Sequence, residues 1–430
     1  MAAVLPAPTP SLAAPRPPGA NRGCSAHLEA RRGRTARVPQ TFTCARELQR
    51  GVARPQRAGA GSPALAETHL DVQAAQDTPP ASRPSFTEFL VGIRTEALAR
   101  GIRQEIVDAA LSNVEEPLSI VIERDRSQAE TVLSLEKYLA GHVTAKAVKA
   151  GREGLARHRE LLDQISVRYG VPPGIIVAIW GIESNFGRFS GVRPTIAALV
   201  TLAWDPRRSA FFRSELFSAL EILNHGDIEA ARMRGSWAGA MGQVQFMPSS
   251  YVKFAEDFDG DGRRDIWSSP PDVFASIGNY LKGNGWIAGE TWGREVRVPG
   301  AAARRIGANV ARRAGTCQAT RDMTVALPMS EWQQSGVRLA NGGALPTDAP
   351  DAALVSGASR HFLVHRNYDA LIEYNCAHSY AVAVGLLASQ VAATSPGPGV
   401  SKQAANAGAK KPKTRKRSRW KPRSPRASAV

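Results

Sequence analysis

A lone acid closes an apolar run at Val177-Ala178-Ile179-Trp180-Gly181-Ile182-Glu183-Ser184-Asn185-Phe186-Gly187. Read as a helix, the run sets Glu183 on the stripe of Ile176, Ile179 and Trp180, because residues three, four and seven apart share a face. Desolvation there penalises the charged carboxylate, so the group keeps its proton towards neutral pH and can act as a general acid. A Glu held among apolar and aromatic neighbours suits protonation of the leaving oxygen of a glycosidic bond. The competing reading is a capped or ion-paired residue in a last helical turn. About fifty residues on, the stretch from Gly235 to Tyr251 alternates small residues with Ser236, Gln243 and Gln245. That pattern lets backbone approach a ligand while hydroxyls and amides face it, although it also suits tight helix packing.

A third cluster, Asp257-Phe258-Asp259-Gly260-Asp261-Gly262-Arg263-Arg264-Asp265, begins like an EF-hand loop, with oxygen ligands at positions 1, 3 and 5 and Gly at 6. Position 12 is Ser268, where the pattern needs a bidentate Glu. Arg263 and Arg264 make a salt-bridged turn the alternative to a cation site. Glycosidases ordinarily need two carboxylates. Asp205, in Trp204-Asp205-Pro206-Arg207-Arg208, and Glu215, on an amphipathic stretch, are expected to be solvated or ion-paired, which leaves Glu183 alone.

Taken together, Glu183 with its flanks and the Gly/Ala/Gln segment resemble the lytic murein transglycosylases of the membrane-bound lytic transglycosylase B family. The resemblance runs through the Asp-rich loop, through Ser276-Ile277-Gly278-Asn279-Tyr280-Leu281-Lys282-Gly283-Asn284-Gly285-Trp286, and through Tyr374-Asn375-Cys376-Ala377-His378-Ser379-Tyr380-Ala381. It spans roughly Pro84 to Val391 and implies a lysozyme-like catalytic core. It also implies cleavage of the bond from N-acetylmuramic acid to N-acetylglucosamine in peptidoglycan. Glu183 would be acid and then base, the muramoyl 6-hydroxyl would attack the anomeric carbon, and the product would be a 1,6-anhydromuramoyl end.

A hydrolytic muramidase and an inactive peptidoglycan-binding relative are the alternatives. Matched positions implied to bind substrate are Ser236, Gln245, Tyr374, Asn375 and Tyr380, with Arg207 and Arg208 meeting lactyl or stem-peptide carboxylates. The family's loop takes a later Asp, so Asp257, Asp259, Asp261 and Asp272 form the possible calcium set; the chemistry itself requires no cofactor. Cys376 and Ala377 depart from the family pattern.

These groups must be positioned by helices above all. The expected fold is mainly α with a small β subdomain. A capping box, Ser85-Phe86-Thr87-Glu88, opens the folded region, and helices are expected over Ile102 to Leu111, Gln128 to Ala140 and Ala145 to Tyr169. Gly170-Val171-Pro172-Pro173 breaks the chain before the Glu183 helix, with Pro in its first turn. Glu295-Val296-Arg297-Val298, Gly336-Val337-Arg338-Leu339 and His361-Phe362-Leu363-Val364-His365 read as strands, and Tyr380 to Val391 as a last helix. The expected organisation is a disordered segment 1–83, a helical subdomain 84–165, the catalytic core 166–291, a small β subdomain 292–370, a returning helix 371–394 and a disordered basic tail 395–430.

Charge is placed unevenly over the 430 residues. Of the net +17, residues 1–80 carry +5 and residues 402–430 carry +11, leaving +1 for the part expected to fold. The tail lacks interleaved aromatics apart from Trp420, which argues against specific nucleic-acid binding. Anionic wall polymers or lipid headgroups are its expected partners, glycan strands those of the core. The resemblance implies a periplasmic or envelope location. Yet prolines at 6, 8 and 10 break the stretch Ala2 to Ala14, neither Cys24 nor Cys44 follows an apolar core, and no run of eighteen apolar residues occurs. Cys317 and Cys376 are read either as a disulfide or as two buried thiols.

Overall fold

The computed structural model describes residues 83–127 and 133–393. Expectations for the N-terminal segment before residue 83, for 128–132 and for the basic tail lie outside these residues.

The centre of the fold is the helix Pro173–Ser184, in which every residue from Gly174 to Trp180 is buried. Ile and Val are mediocre helix formers, by about 0.5 kcal/mol each relative to Ala. Burying each such side chain returns roughly 1.5–3 kcal/mol, so tertiary packing, not propensity, makes this segment helical. Pro172 caps it with extended backbone and Pro173 supplies the first helical residue. The preceding helix, Arg159–Tyr169, stops at Gly170, whose φ of 75° is left-handed, and the two axes meet at 109°. Around this centre pack the helices His378–Ala392, Ala145–Arg157 and Pro270–Gly283, and Thr195–Trp204 packs against Ser209–His225. Among the described residues no single helix is long and apolar enough to cross a membrane.

The capping box at Ser85 forms: its hydroxyl accepts from the Glu88 N–H at 3.2 Å, and the Glu88 carboxylate accepts from the Ser85 N–H at 2.8 Å. Other boundaries differ from expectation. The span Ala145 to Tyr169 is two helices, Ala145–Arg157 and Arg159–Tyr169, broken at His158, whose ring packs edge-on against Trp180 and Phe274. Of the helix expected over Gln128 to Ala140, residues 128–132 lie outside the described residues and Leu135–His142 is helical, capped by Ser134; Ser119–Ser127 is a further helix.

The expected β subdomain is a four-stranded antiparallel sheet in the order Arg338–Leu339, Gly293–Arg297, His361–Val364, Ala353–Ser356. The last strand was not among those expected, nor were the helices Gly300–Asn309, Gln318–Asp322 and Met329–Gln334 threaded between. Strand alternation sends Ala353, Val355, Phe362 and Val364 into the main core. Leu354 and Leu363 face instead a smaller interior built with Ile306, Met329 and Trp332. Cys317, beside this lobe, is disulfide-bonded to Cys376, with Cα atoms 6.0 Å apart, which settles the alternative left open by the sequence.

Candidate active site

Glu183 sits in the last turn of its helix, where the chain reverses sharply. Asn185 and Phe186 both adopt positive φ, 50° and 59°. The Ser184 hydroxyl holds this turn by donating to the Trp180 carbonyl at 2.7 Å and accepting from the Gly187 N–H at 2.9 Å. The returning strand Arg193–Pro194 pairs with Arg234–Gly235, which brings the Gly/Ala/Gln segment beside the Glu183 turn. Gly191 makes this approach possible: a Cβ on it would lie 2.3 Å from the Gly235 carbonyl carbon, and its φ is 99°.

Glu183 is half-buried, and desolvation raises its pKa from 4.5 to about 7. The Tyr380 phenol opposes this shift, stabilising the ionised form, although its buried hydroxyl closes no hydrogen bond of good geometry among the described residues. Among the described residues, no other carboxylate contributes to the Glu183 shift. Tyr374 and Tyr380 are both held well above an ordinary phenol pKa, by burial first and then by the negative charge of Glu183. Tyr138 feels the same two influences and is raised to about 12. The structure therefore gathers one carboxyl and three neutral phenols. The rings of Tyr374 and Tyr380 are stacked at 6.2 Å, and the Tyr374 hydroxyl donates to the Val244 carbonyl at 2.8 Å, tying the late tyrosines to the Gly/Ala/Gln segment.

Other residues singled out from the sequence take varied places. The Ser236 oxygen accepts from the Ala238 and Ala240 N–H groups at 3.2 and 3.1 Å, so it shapes its own loop and keeps one O–H to offer. Gln245 has a φ of 52° and donates its side-chain amide to the Gly242 carbonyl at 2.8 Å. Asn375 is exposed at the end of the helix Asn367–Tyr374. Gln243, expected to face a ligand, is instead fully committed: it accepts from Trp180 Nε1 at 2.7 Å and donates to the Trp267 carbonyl at 2.8 Å. It joins the Glu183 helix to the end of the Asp-rich loop. Arg207 and Arg208 both pair with buried Asp125, on the helix Ser119–Ser127, leaving their outer edges exposed.

The two spare acids are accounted for. Asp205 is buried, accepts from the Arg207 N–H and lies 3.9 Å from Arg126. Glu215 is neither solvated nor ion-paired: it is buried and accepts from the N–H and hydroxyl of Ser249, at 2.9 and 2.7 Å, in the first turn of the helix Pro248–Phe254. Tyr138 and the bracing by Gln243 escaped sequence reading. Tyr138 belongs to a different helix far along the chain, and Gln243 differs from Gln245 in nothing that composition displays.

In the Asp-rich loop, carboxylate oxygens of Asp257, Asp259 and Asp272 lie within 4.8 Å of one another. Asp261 is not among them; its carboxylate accepts from the Arg263 N–H at 2.8 Å. Buried Asp272 is raised to about 6, by desolvation first and by the charge of Asp259 further down. Arg264 does not bridge to this cluster but to buried Asp227, at 2.7 Å. Three converging oxygen donors without a cationic side chain between them fit a hard divalent cation better than a salt-bridged turn.

Known proteins resemble this chain over most of its described length. Residues 85–389 match the profile of the family described as Transglycosylase SLT domain. Membrane-bound lytic murein transglycosylase B of Escherichia coli (strain K12) is 39% identical over 155 residues, 36% of this chain and 43% of that protein. The chain thus matches less than half the length of this curated relative. SltB3 from Pseudomonas aeruginosa, solved in complex with NAG-anhNAM-pentapeptide, superposes with a TM-score of 0.64 and 42% identity, over 71% of this chain and 79% of SltB3. The Escherichia coli lytic transglycosylase Slt35 in complex with calcium gives 0.58 and 27%, over 73% of this chain and 94% of Slt35. A match that runs from the capping box to the last helix and includes the Glu183 turn means that the chain belongs to the transglycosylase SLT domain family.

Proposed function

We propose that the protein is a lytic transglycosylase of the cell envelope that cleaves the β-1,4 bond between N-acetylmuramic acid and N-acetylglucosamine in peptidoglycan. The observation that carries this reading is the solitary carboxyl: among the described residues, no second carboxylate acts on Glu183, whose pKa is about 7, so none stands beside it as nucleophile or base. The nucleophile then comes from the sugar. Glu183 donates its proton to the glycosidic oxygen as the C1–O bond breaks. The resulting carboxylate removes the proton of the muramoyl 6-hydroxyl, and O6 bonds to C1. The 1,6-anhydro ring forms without water, and Glu183 ends protonated as it began. A pKa near neutrality serves both halves of the cycle. Holding O6 against C1 makes the second half unimolecular, a contribution on the order of several kcal/mol.

The phenol of Tyr380 steadies the carboxylate between the two transfers, Tyr374 and Tyr138 enclose it, and Ser236, Gln245 and Asn375 offer hydroxyl and amide contacts to the sugars. That SltB3 was solved with NAG-anhNAM-pentapeptide, and also with NAG-NAM-pentapeptide, supports the substrate class. Asp257, Asp259 and Asp272 would hold calcium, which would neutralise the loop and tie it to the helix Pro270–Gly283; it supplies structure, not chemistry. The cationic residues 402–430 add a salt-sensitive attraction to anionic wall polymers or lipid headgroups.

Digestion of purified peptidoglycan followed by mass analysis tests the reading. Products one water lighter than hydrolytic muropeptides are expected, and Glu183→Gln abolishes their release. Hydrated reducing ends would identify a hydrolytic muramidase, and intact strands after prolonged digestion an inactive relative.

A further inference from the structure

A cavity of about 180 Å³ lies at the first turn of the helix Pro173–Ser184, the opposite end from Glu183. At 1.5 Å per residue the helix sets Ile175, in the lining, roughly 12 Å along its axis from Glu183. Ile175, Ala388 and Ala392 give the cavity an apolar wall, and Trp286, Glu290 and Trp292 join them in the lining. Two buried polar atoms here lack partners. Trp286 is 7% exposed, yet its Nε1 closes no hydrogen bond among the described residues, and neither does the buried Oε2 of Glu290. A buried donor and a buried acceptor left open in one cavity mark a place where a polar ligand belongs, because each is costly unpaired. The segment that carries them is firmly held. The side-chain amide of buried Asn367 donates to the Ile287 and Glu290 carbonyls, both at 2.9 Å, and its oxygen accepts from the Ile287 N–H at 2.6 Å. Trp292 fits only because residue 385 is Gly: a Cβ there would lie 2.2 Å from the indole ring.

We infer that this cavity is a second carbohydrate site, which takes one 2-acetamido sugar residue of a glycan strand away from the cleft at Glu183. An acetamido group matches the lining atom for atom. Its carbonyl accepts from Trp286 Nε1, its N–H donates to the Glu290 carboxylate, and its methyl rests on Ile175, Ala388 and Ala392. The indoles of Trp286 and Trp292 offer aromatic surface to the apolar face of the pyranose ring. The cavity is smaller than the roughly 300–1,000 Å³ of drug-sized ligand sites, which suits one sugar residue and not a disaccharide. That the sugar belongs to peptidoglycan rests on the transglycosylase reading, whereas the acetamido chemistry rests on the cavity alone. Two grips on one polymer, at the two ends of one helix, raise the effective concentration of strand at Glu183.

Indole signals read the site directly. The full chain, with nitrogen-15 in its eight tryptophans, is titrated with N-acetylglucosamine, glucose and glucosamine while the indole N–H resonances are followed by NMR. The Trp286 signal, assigned by its absence from Trp286→Phe, is expected to shift saturably with N-acetylglucosamine. Glucose, which lacks the acetamido group, should bind about tenfold more weakly. Ala392→Phe, which fills the cavity from its exposed rim, and Glu290→Ala should each remove the response. The Trp180 signal, three residues before Glu183 and held by Gln243, should behave alike in the parent and both variants, which shows that the fold is kept. An unmoved Trp286 signal, an equal response to glucose, or a response that survives Ala392→Phe would overturn the inference. So would a stronger response to glucosamine, because indoles beside a carboxylate would then be an ammonium site. Free sugar is not cleaved, so failure of the transglycosylase reading shows elsewhere, in the mass of the digestion products.

Discussion

Replacing Glu183 by Gln should stabilise the protein at alkaline pH and leave it nearly unchanged at acid pH, while cleavage is lost at both. The folded-state pKa is raised from 4.5 to about 7, so the folded chain binds this proton more tightly than the unfolded chain does. Its contribution to stability is fully present below pH 4.5, declines as pH rises through 7, and is gone above it. At full expression the shift corresponds to roughly 3 kcal/mol, which the wild type forfeits by pH 8 and the amide, having no proton to lose, does not. With an unfolding entropy near 2.1 cal/mol/K per residue over about 300 folded residues, that difference amounts to about 5 °C in Tm. The assay is thermal unfolding of both proteins at pH 4 and pH 8. The gap in Tm should widen in favour of the variant on going to pH 8. A gap independent of pH would mean that Glu183 is not desolvated, and the argument for its acid role would fall.

Tyr380→Phe removes the group that holds the Glu183 pKa down, so the alkaline limb of the pH–rate profile should move to higher pH as kcat falls; an unmoved limb would refute the contact. Millimolar calcium should raise Tm, chelation should reverse it, and Asp259→Ala should abolish the response, with a gain of roughly 2.7 kcal/mol at a hundred times Kd; no response would return the loop to an uncomplexed turn. Reduction of Cys317–Cys376, which closes a separation of 59 residues, should lower stability by roughly 4 kcal/mol, read as a drop in Tm with reductant that the double Ser variant reproduces without it.

What the sequence disclosed follows the range of the forces involved. The capping box at Ser85 closes between residues three apart, so the pattern contains the whole interaction. Glu183 was legible because a carboxyl within an apolar run violates local logic. The break at His158 was not, because amphipathic periodicity continues across it and the deciding contacts come from Trp180 and Phe274. Ala353–Ser356 is only four residues and buries three in succession, Ala353, Leu354 and Val355, so it lacks the polar alternation that marks a half-buried strand. The Asp cluster was legible as a pattern, but which Asp turns inward depended on Arg263 and Ser269, whose groups engage Asp261 and Asp259. Tyr138 reaches Glu183 only through tertiary packing, which no local window contains.

The small sheet places apolar side chains on both its faces, and each face belongs to a different interior. Inserting a single residue into Ala353–Ser356 or His361–Val364 would exchange these memberships wholesale, handing Phe362 to the outer lobe and Leu363 to the main core. An insertion of two would restore them. The outer lobe is therefore free to change its helices and loops in length, but these two strands can drift only in even steps, a parity rule imposed on the lobe by the helical core it never leaves.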